Sequence, residues 1–140
     1  MSNNSFHLII TTHSTLCEGY RKAAELIIMN DQSGLTLLPF EENMPSEEFE
    51  RRMAEIVKKH ASQSLVILTD LIGGTPNNTA IKQLGSPNIQ VITGFNLPLL
   101  LELLMAQSSD KQIEELNIPE LIKSAQDNII HVNSLIAALN

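Results

Sequence analysis

Ser64-Leu65-Val66-Ile67-Leu68-Thr69-Asp70-Leu71-Ile72-Gly73-Gly74-Thr75-Pro76 is the stretch whose reading decides the fold. Its first half, Ser64 to Thr69, is the most continuous β-type run in the chain, and a single carboxylate, a Gly pair, a Thr and a Pro follow it. A short unbroken apolar run suits a strand covered on both faces, which is what a parallel sheet between helices produces. The Gly pair supplies a loop. Thr75 then reads as an N-cap and Pro76 as the first helical residue, where its fixed φ and missing N–H cost nothing.

The same strand-then-helix unit recurs on both sides. Phe6 to Thr11 reads as a strand stopped by Thr12-His13-Ser14, after which Cys17, Tyr20, Ala24, Ile27 and Ile28 recur at helical spacing. Asn30-Asp31-Gln32-Ser33-Gly34 closes that helix by turn chemistry, and Leu35 to Phe40 is a second strand. Ser46 is expected to cap a helix that gathers Phe49, Met53, Ile56 and Val57 on one face. Ile89 to Thr93 makes a fourth strand after the Gly85-Ser86-Pro87-Asn88 turn. From Asn96 to Ala106 the chain is apolar nearly all round, so this helix is expected to pack on the sheet and also on a second subunit; a crowded monomer core is the alternative. Ile118, Leu121, Ile122 and Ala125 form a further helical pattern behind an Asn117 cap, while Ile129 to Leu135 fits a last strand or more helix. Such alternation predicts an α/β fold: a doubly wound, mostly parallel central sheet with helices on both faces, in one domain over residues 1–140, with 1–5 a flexible N-terminus.

Composition narrows the function. The 140 residues carry 9 basic and 16 acidic side chains, a formal charge of -7, which is the wrong sign for a phosphate-backbone binder, so no nucleic-acid partner is expected. One Cys excludes an internal disulfide and a thiolate metal cage, and fits a reducing cytoplasm. The opening residues lack a basic, long-apolar leader and no apolar run is long enough to span a bilayer, so no direct membrane insertion is expected. Four Phe, one Tyr and no Trp are too few aromatics to wall a flavin or a sugar.

In an open parallel sheet the ligand site lies beyond the carboxyl ends of the strands, where the strand order reverses. Two strand ends carry chemistry. If the first and third strands are neighbours, His13 meets Asp70: an imidazole that is largely neutral yet nucleophilic near pH 7, and a carboxylate able to fix its tautomer and stabilise its cation. Gly73-Gly74-Thr75 adds backbone N–H groups that can approach an anion closely. No Lys or Arg lies in either loop and no acidic cluster invites Mg²⁺, so no metal and no cofactor are expected. A phosphoryl group held by backbone dipoles and hydroxyls, moving reversibly between nitrogens, fits better than hydrolysis. His7, His60 and His131 are weaker candidates; Cys17, beside the helix start, reads as a small core residue. The acidic run Glu41, Glu42, Glu47, Glu48 and Glu50 is a solvated surface able to attract a basic partner.

Three motifs, Ile9-Ile10-Thr11-Thr12-His13-Ser14, Asp70-Leu71-Ile72-Gly73-Gly74-Thr75-Pro76-Asn77-Asn78 and Thr93-Gly94-Phe95-Asn96-Leu97-Pro98-Leu99-Leu100, together resemble the IIA component of the mannose-type (mannose/fructose/sorbose) bacterial sugar phosphotransferase systems, from about Phe6 to Ala106. The resemblance implies that His13 accepts a phosphoryl group from the phosphocarrier protein HPr and passes it to the IIB component, which phosphorylates a sugar entering through the membrane IIC and IID components. It implies Asp70 as the hydrogen-bond partner of His13, a phosphoryl cradle of Gly73, Gly74 and Thr75 with Ser14, a cytoplasmic homodimer, and a final strand exchanged between subunits. Ile72 stands where some members carry Trp, and the IIB partner is expected to be a separate polypeptide. The nearest rival is the phosphoryl-accepting subunit of a dihydroxyacetone kinase, whose turn resembles Asp-Met-Gly-Ser rather than the Gly-Gly-Thr-Pro present here. A non-catalytic receiver or flavodoxin-like module would need acidic residues after the first strand, or aromatic walls.

Overall fold

A computed structural model of the chain describes residues 5–29 and 32–140. Four parallel strands, β1 (His7–His13), β2 (Leu35–Phe40), β3 (Leu65–Thr69) and β4 (Ile89–Thr93), form one sheet in the order β2-β1-β3-β4. Helices α1 (Leu16–Ile28), α2 (Ser46–Lys59), α3 (Thr75–Ile81), α4 (Leu97–Ser108), α5 (Ile118–Gln126) and α6 (Val132–Ala138) complete it, with a single 3-10 turn at Ile113–Glu115. The predicted doubly wound architecture is the one observed.

The sheet is covered twice because its central strands are apolar on both faces. Leu8, Ile10, Val66 and Leu68 point into a cluster with Cys17, Ala24, Leu100, Leu103 and Ala125, from α1, α4 and α5. The alternate residues Ile9, Leu65 and Ile67 pack on Phe49, Met53 and Ala80, from α2 and α3. This period of two is the geometry of a strand read against two helical layers.

Several local expectations shift. β1 does not stop at Thr11 but runs to His13, because Thr12 and His13 pair with Pro39 and Phe40 of β2. Ser46 is the first helical residue of α2 and Pro45 occupies the cap position without a side-chain bond. Likewise Gly74, at φ -84 and ψ 164, is the N-cap of α3, which moves Thr75 to the first turn and Pro76 one place further. Ile27 is exposed, not on the buried face of α1. Asn96 and Asn117 do cap α4 and α5, accepting from Leu99 N at 3.1 Å and Glu120 N at 3.2 Å. Asn30 and Asp31 of the expected turn, and residues 1–4 of the expected flexible terminus, lie outside the described residues.

The apolar helix α4 buries Leu99, Leu100, Leu103 and Leu104 on the sheet, while α5 and α1 pack beside it. The crowded-core alternative thus accounts for its composition without a second subunit; Met105 remains exposed. The C-terminal segment is a correction to the implied final strand: Val132–Ala138 is helical, with Ile129, Ile130, Leu135, Ile136 and Leu139 exposed. In one chain by itself no strand partner is offered there, and a helix satisfies the backbone locally.

Candidate functional site

The strand order reverses between β1 and β3, and their register sets Thr11 opposite Thr69. His13 and Asp70 therefore emerge side by side at the carboxyl end of the sheet. The loop after β1 is tightly specified. Ser14 sits at φ 55 and donates its N–H to Phe40 O at 2.8 Å, closing the loop onto β2. Thr12 Oγ1 accepts the Cys17 N–H at 2.9 Å and donates to Ser14 O at 3.3 Å, fixing how α1 leaves the site. On the other strand, Thr69 Oγ1 donates to Asn77 Oδ1 at 2.9 Å, tying the end of β3 to the first turn of α3.

Asp70 Oδ2 accepts two hydrogen bonds from one residue, the backbone N–H of His13 at 3.0 Å and its ring Nδ1 at 3.0 Å. A carboxylate can only accept, so Nδ1 carries the proton and the lone pair lies on Nε2. The imidazole side chain is 44% exposed and the Asp70 side chain 13%, so the nucleophilic edge faces solvent while its partner is sheltered. Gly74 lies against that edge: a Cβ there would stand 2.5 Å from His13 Cε1 and 3.1 Å from Nε2. Gly73 beside it has φ +83, a left-handed turn natural to glycine. Phe40 meets the imidazole edge-on at 6.3 Å between ring centres. Leu71 and Ile72, on the loop between Asp70 and Gly73, are both exposed.

The expected pair is thus brought together, with Gly74 against Cε1 and Nε2 of the ring; Thr75 follows in the first turn of α3, and Ser14 turns the neighbouring loop. The other histidines lie elsewhere. His7 stacks on His60 at 3.7 Å and hydrogen-bonds Thr36 Oγ1 at 2.7 Å, and burial, then the nearby His60 and Lys59 charges, lower its pKa to about 4. His131 contacts Ser134 on α6. Burial pushes the Cys17 thiol up, which suits a core residue and not a nucleophile. Phe40 has no place in the sequence argument for the site; the pairing of β1 with β2 brings it to the imidazole. A cleft of about 800 Å³ lies at the opposite end of the sheet beside Ser64 and Asn88. No group of three or more metal-ligating side chains converges among the described residues. None of their helices is long and apolar enough to cross a membrane.

The chain is similar to known proteins in both sequence and fold. The family described as PTS system fructose IIA component matches residues 7–119. The mannose-specific EIIAB component of the PTS from Escherichia coli K12 is 30% identical over 111 residues, which is 78% of this chain and 34% of that protein. The chain therefore spans about a third of the length of the curated relatives it matches. Among solved structures, the PTS IIA protein associated with the fucose utilization operon of Streptococcus pneumoniae superposes with TM-score 0.85 at 27% identity, covering 97% of this chain and 99% of that one. The mannose/sorbose specific IIA subunit from Enterococcus faecalis shares the fold at TM-score 0.78 and 22% identity, covering 90% and 93%.

Proposed function

The chain belongs to the fructose/mannose IIA family of bacterial sugar phosphotransferase systems, and on that premise we propose that it is a phosphoryl carrier, taking the group from phospho-HPr onto His13 Nε2 and delivering it to a IIB component during sugar uptake. The observation that carries this reading is the double hydrogen bond from His13 to Asp70 Oδ2. With Nδ1–H committed to the carboxylate, Nε2 is the only ring nitrogen with a free lone pair. It attacks the phosphorus of the incoming phosphohistidine, the P–N bond to the donor breaks, and its electron pair returns to the donor imidazole. Positive charge grows on His13 as the new bond forms. Asp70, already placed, stabilises it; a charge-assisted bond of this kind is worth roughly 1.5–3 kcal/mol, or about 10- to 100-fold in rate.

Gly73, Gly74 and Thr75, with Ser14, form the cradle for the phosphoryl oxygens without a fixed cation, the Gly74 N–H having to exchange its long bond to Leu71 O at 3.3 Å for one to the phosphoryl group. That suits a carrier: too strong a grip would trap the group, which must leave for IIB. The exposed Leu71 and Ile72 offer the apolar contact for a protein donor or acceptor, and the acidic surface favours basic patches on those partners. The exposed apolar residues from Ile129 to Leu139 support a homodimer in which a second copy covers them. We place the protein in the cytoplasm, meeting the membrane IIC and IID components only indirectly and needing no cofactor. Incubation with enzyme I, HPr and labelled phosphoenolpyruvate tests the reading: label is expected on this chain, acid-labile and alkali-stable, and none on His13→Ala.

A further inference from the structure

Asp70 uses one carboxylate oxygen twice and leaves the other without a partner. Oδ2 takes both N–H groups of His13, while Oδ1 is shielded from solvent and has no hydrogen-bond donor among the described residues. A buried carboxylate oxygen in that condition is costly and uncommon, so a donor within reach matters. The residues of β3 that face α1 and α4 are Val66 and Leu68. Asp70 lies one residue past the end of β3, and Tyr20 packs against the cluster that Val66 and Leu68 enter. Tyr20 lies on α1, the helix that starts just after the His13 loop. Its ring packs on Phe95 at 4.5 Å, and its hydroxyl reaches Phe95 O only at 3.5 Å, the long limit of a hydrogen bond. Phe95 is itself held beside the end of β3, since Gly94 donates to Thr69 O at 2.9 Å. Burial, and then the negative charge of Asp70, push the Tyr20 pKa upward, so the phenol stays protonated, a donor within the field of that carboxylate.

We propose that Tyr20 is a positioning residue for His13: its hydroxyl leaves the slack contact with Phe95 O, donates to Asp70 Oδ1, and holds the carboxylate aligned on the imidazole. The proposal deepens the carrier reading and rests on it for its catalytic meaning. The hydroxyl also shares the charge of Asp70, so the carboxylate draws less strongly on the Nδ1 proton of His13. Removing the hydroxyl returns that charge to the imidazole.

The test is the Nδ1–H proton resonance of His13 by NMR in the unphosphorylated protein, which reads the bond to Asp70 directly. Tyr20→Phe should move it downfield, the sign of a stronger bond, and leave it unmoved in Asp70→Asn, where the shared charge is gone. Tyr20 is the one tyrosine of the chain, so biosynthetic 3-fluorotyrosine alters this phenol alone; a more acidic phenol donates more strongly and should move the resonance upfield. An unchanged resonance in Tyr20→Phe, or an equal shift with and without the Asp70 charge, overturns the proposal. If the shifts appear but phospho-HPr never labels His13, the carrier reading fails and the Tyr20 contact stands.

Discussion

Gly74 and His13 are packed as closely as backbone and ring allow, with a Cβ at position 74 falling 2.5 Å from Cε1. The Gly74 backbone, at φ -84 and ψ 164, is open to any residue, so Gly74→Ala introduces no backbone strain and acts only by pressing on an imidazole that Asp70 holds in place. Phosphorylation of Gly74→Ala by phospho-HPr should be at least ~10-fold slower, the scale of one disturbed catalytic contact, with the melting temperature little changed. Gly73→Ala should act by another route: its φ of +83 costs a side chain about 1–2 kcal/mol, while no described atom lies within 4 Å of its Cβ, so the melting temperature falls and any loss of transfer comes from a shifted cradle and not from pressure on His13. Equal transfer rates in Gly74→Ala and wild type would remove the close approach from the mechanism.

Asp70→Asn keeps the shape of the side chain and removes the charge. Transfer to His13 should slow by about 10- to 100-fold, from the loss of a charge-assisted bond, and the ring proton should no longer be held on Nδ1 in preference to Nε2. Rapid-quench transfer kinetics and the ring ¹⁵N shifts of His13 measure the two effects; a slower rate with an unmoved tautomer would mean that Asp70 acts on the fold and not on the ring.

How far the site is legible without coordinates depends on which interactions are local. β2 and β4 fall where their apolar runs end, and His13 and Asp70 can be paired by assuming that their strands are neighbours at the switch point. The end of β1 is misread because Thr12 and His13 look like a polar stop, whereas their pairing with Pro39 and Phe40 is a long-range fact. Thr75 looks like a cap by type, but the extended backbone of Gly74 takes that place. The segment from Ile129 to Leu135 fits both periods, and only the fold shows that Val132–Ala138 is helical. Phe40 joins the site only through the pairing of β1 with β2, which no local pattern records.

Acid should weaken the protein through the end of the sheet remote from His13. His7 is buried on His60 with a pKa lowered to about 4, below the ordinary histidine value of 6.5. Between those values the unfolded chain binds the proton more readily than the folded one, so stability is full above pH 6.5 and falls as pH drops toward 4. Melting curves across that window should fall more steeply for wild type than for His7→Gln, which keeps a polar contact for Thr36 but does not titrate. Parallel curves would show that other groups set the acid limit.

The exposed C-terminal residues make a claim on assembly. Ile129 is 81% and Ile136 55% exposed, and together with Leu139 they leave more apolar surface than a lone soluble chain tolerates well. Light scattering at micromolar concentration should give a dimer for the full chain and a monomer for the double variant Ile129→Asp/Ile136→Asp, with β1 to β4 unchanged by circular dichroism. A monomeric full chain would remove the second copy from the account.

The most direct test locates the phosphoryl group itself. The chain, labelled with ¹⁵N at histidine, is phosphorylated by HPr and enzyme I, and the phosphorus-bearing nitrogen is identified by ³¹P–¹⁵N coupling in alkaline solution. One phosphoryl group on Nε2 of His13, and no label on His13→Ala, is the result predicted. A phosphoryl group on Nδ1, or on His7, His60 or His131, would contradict the account.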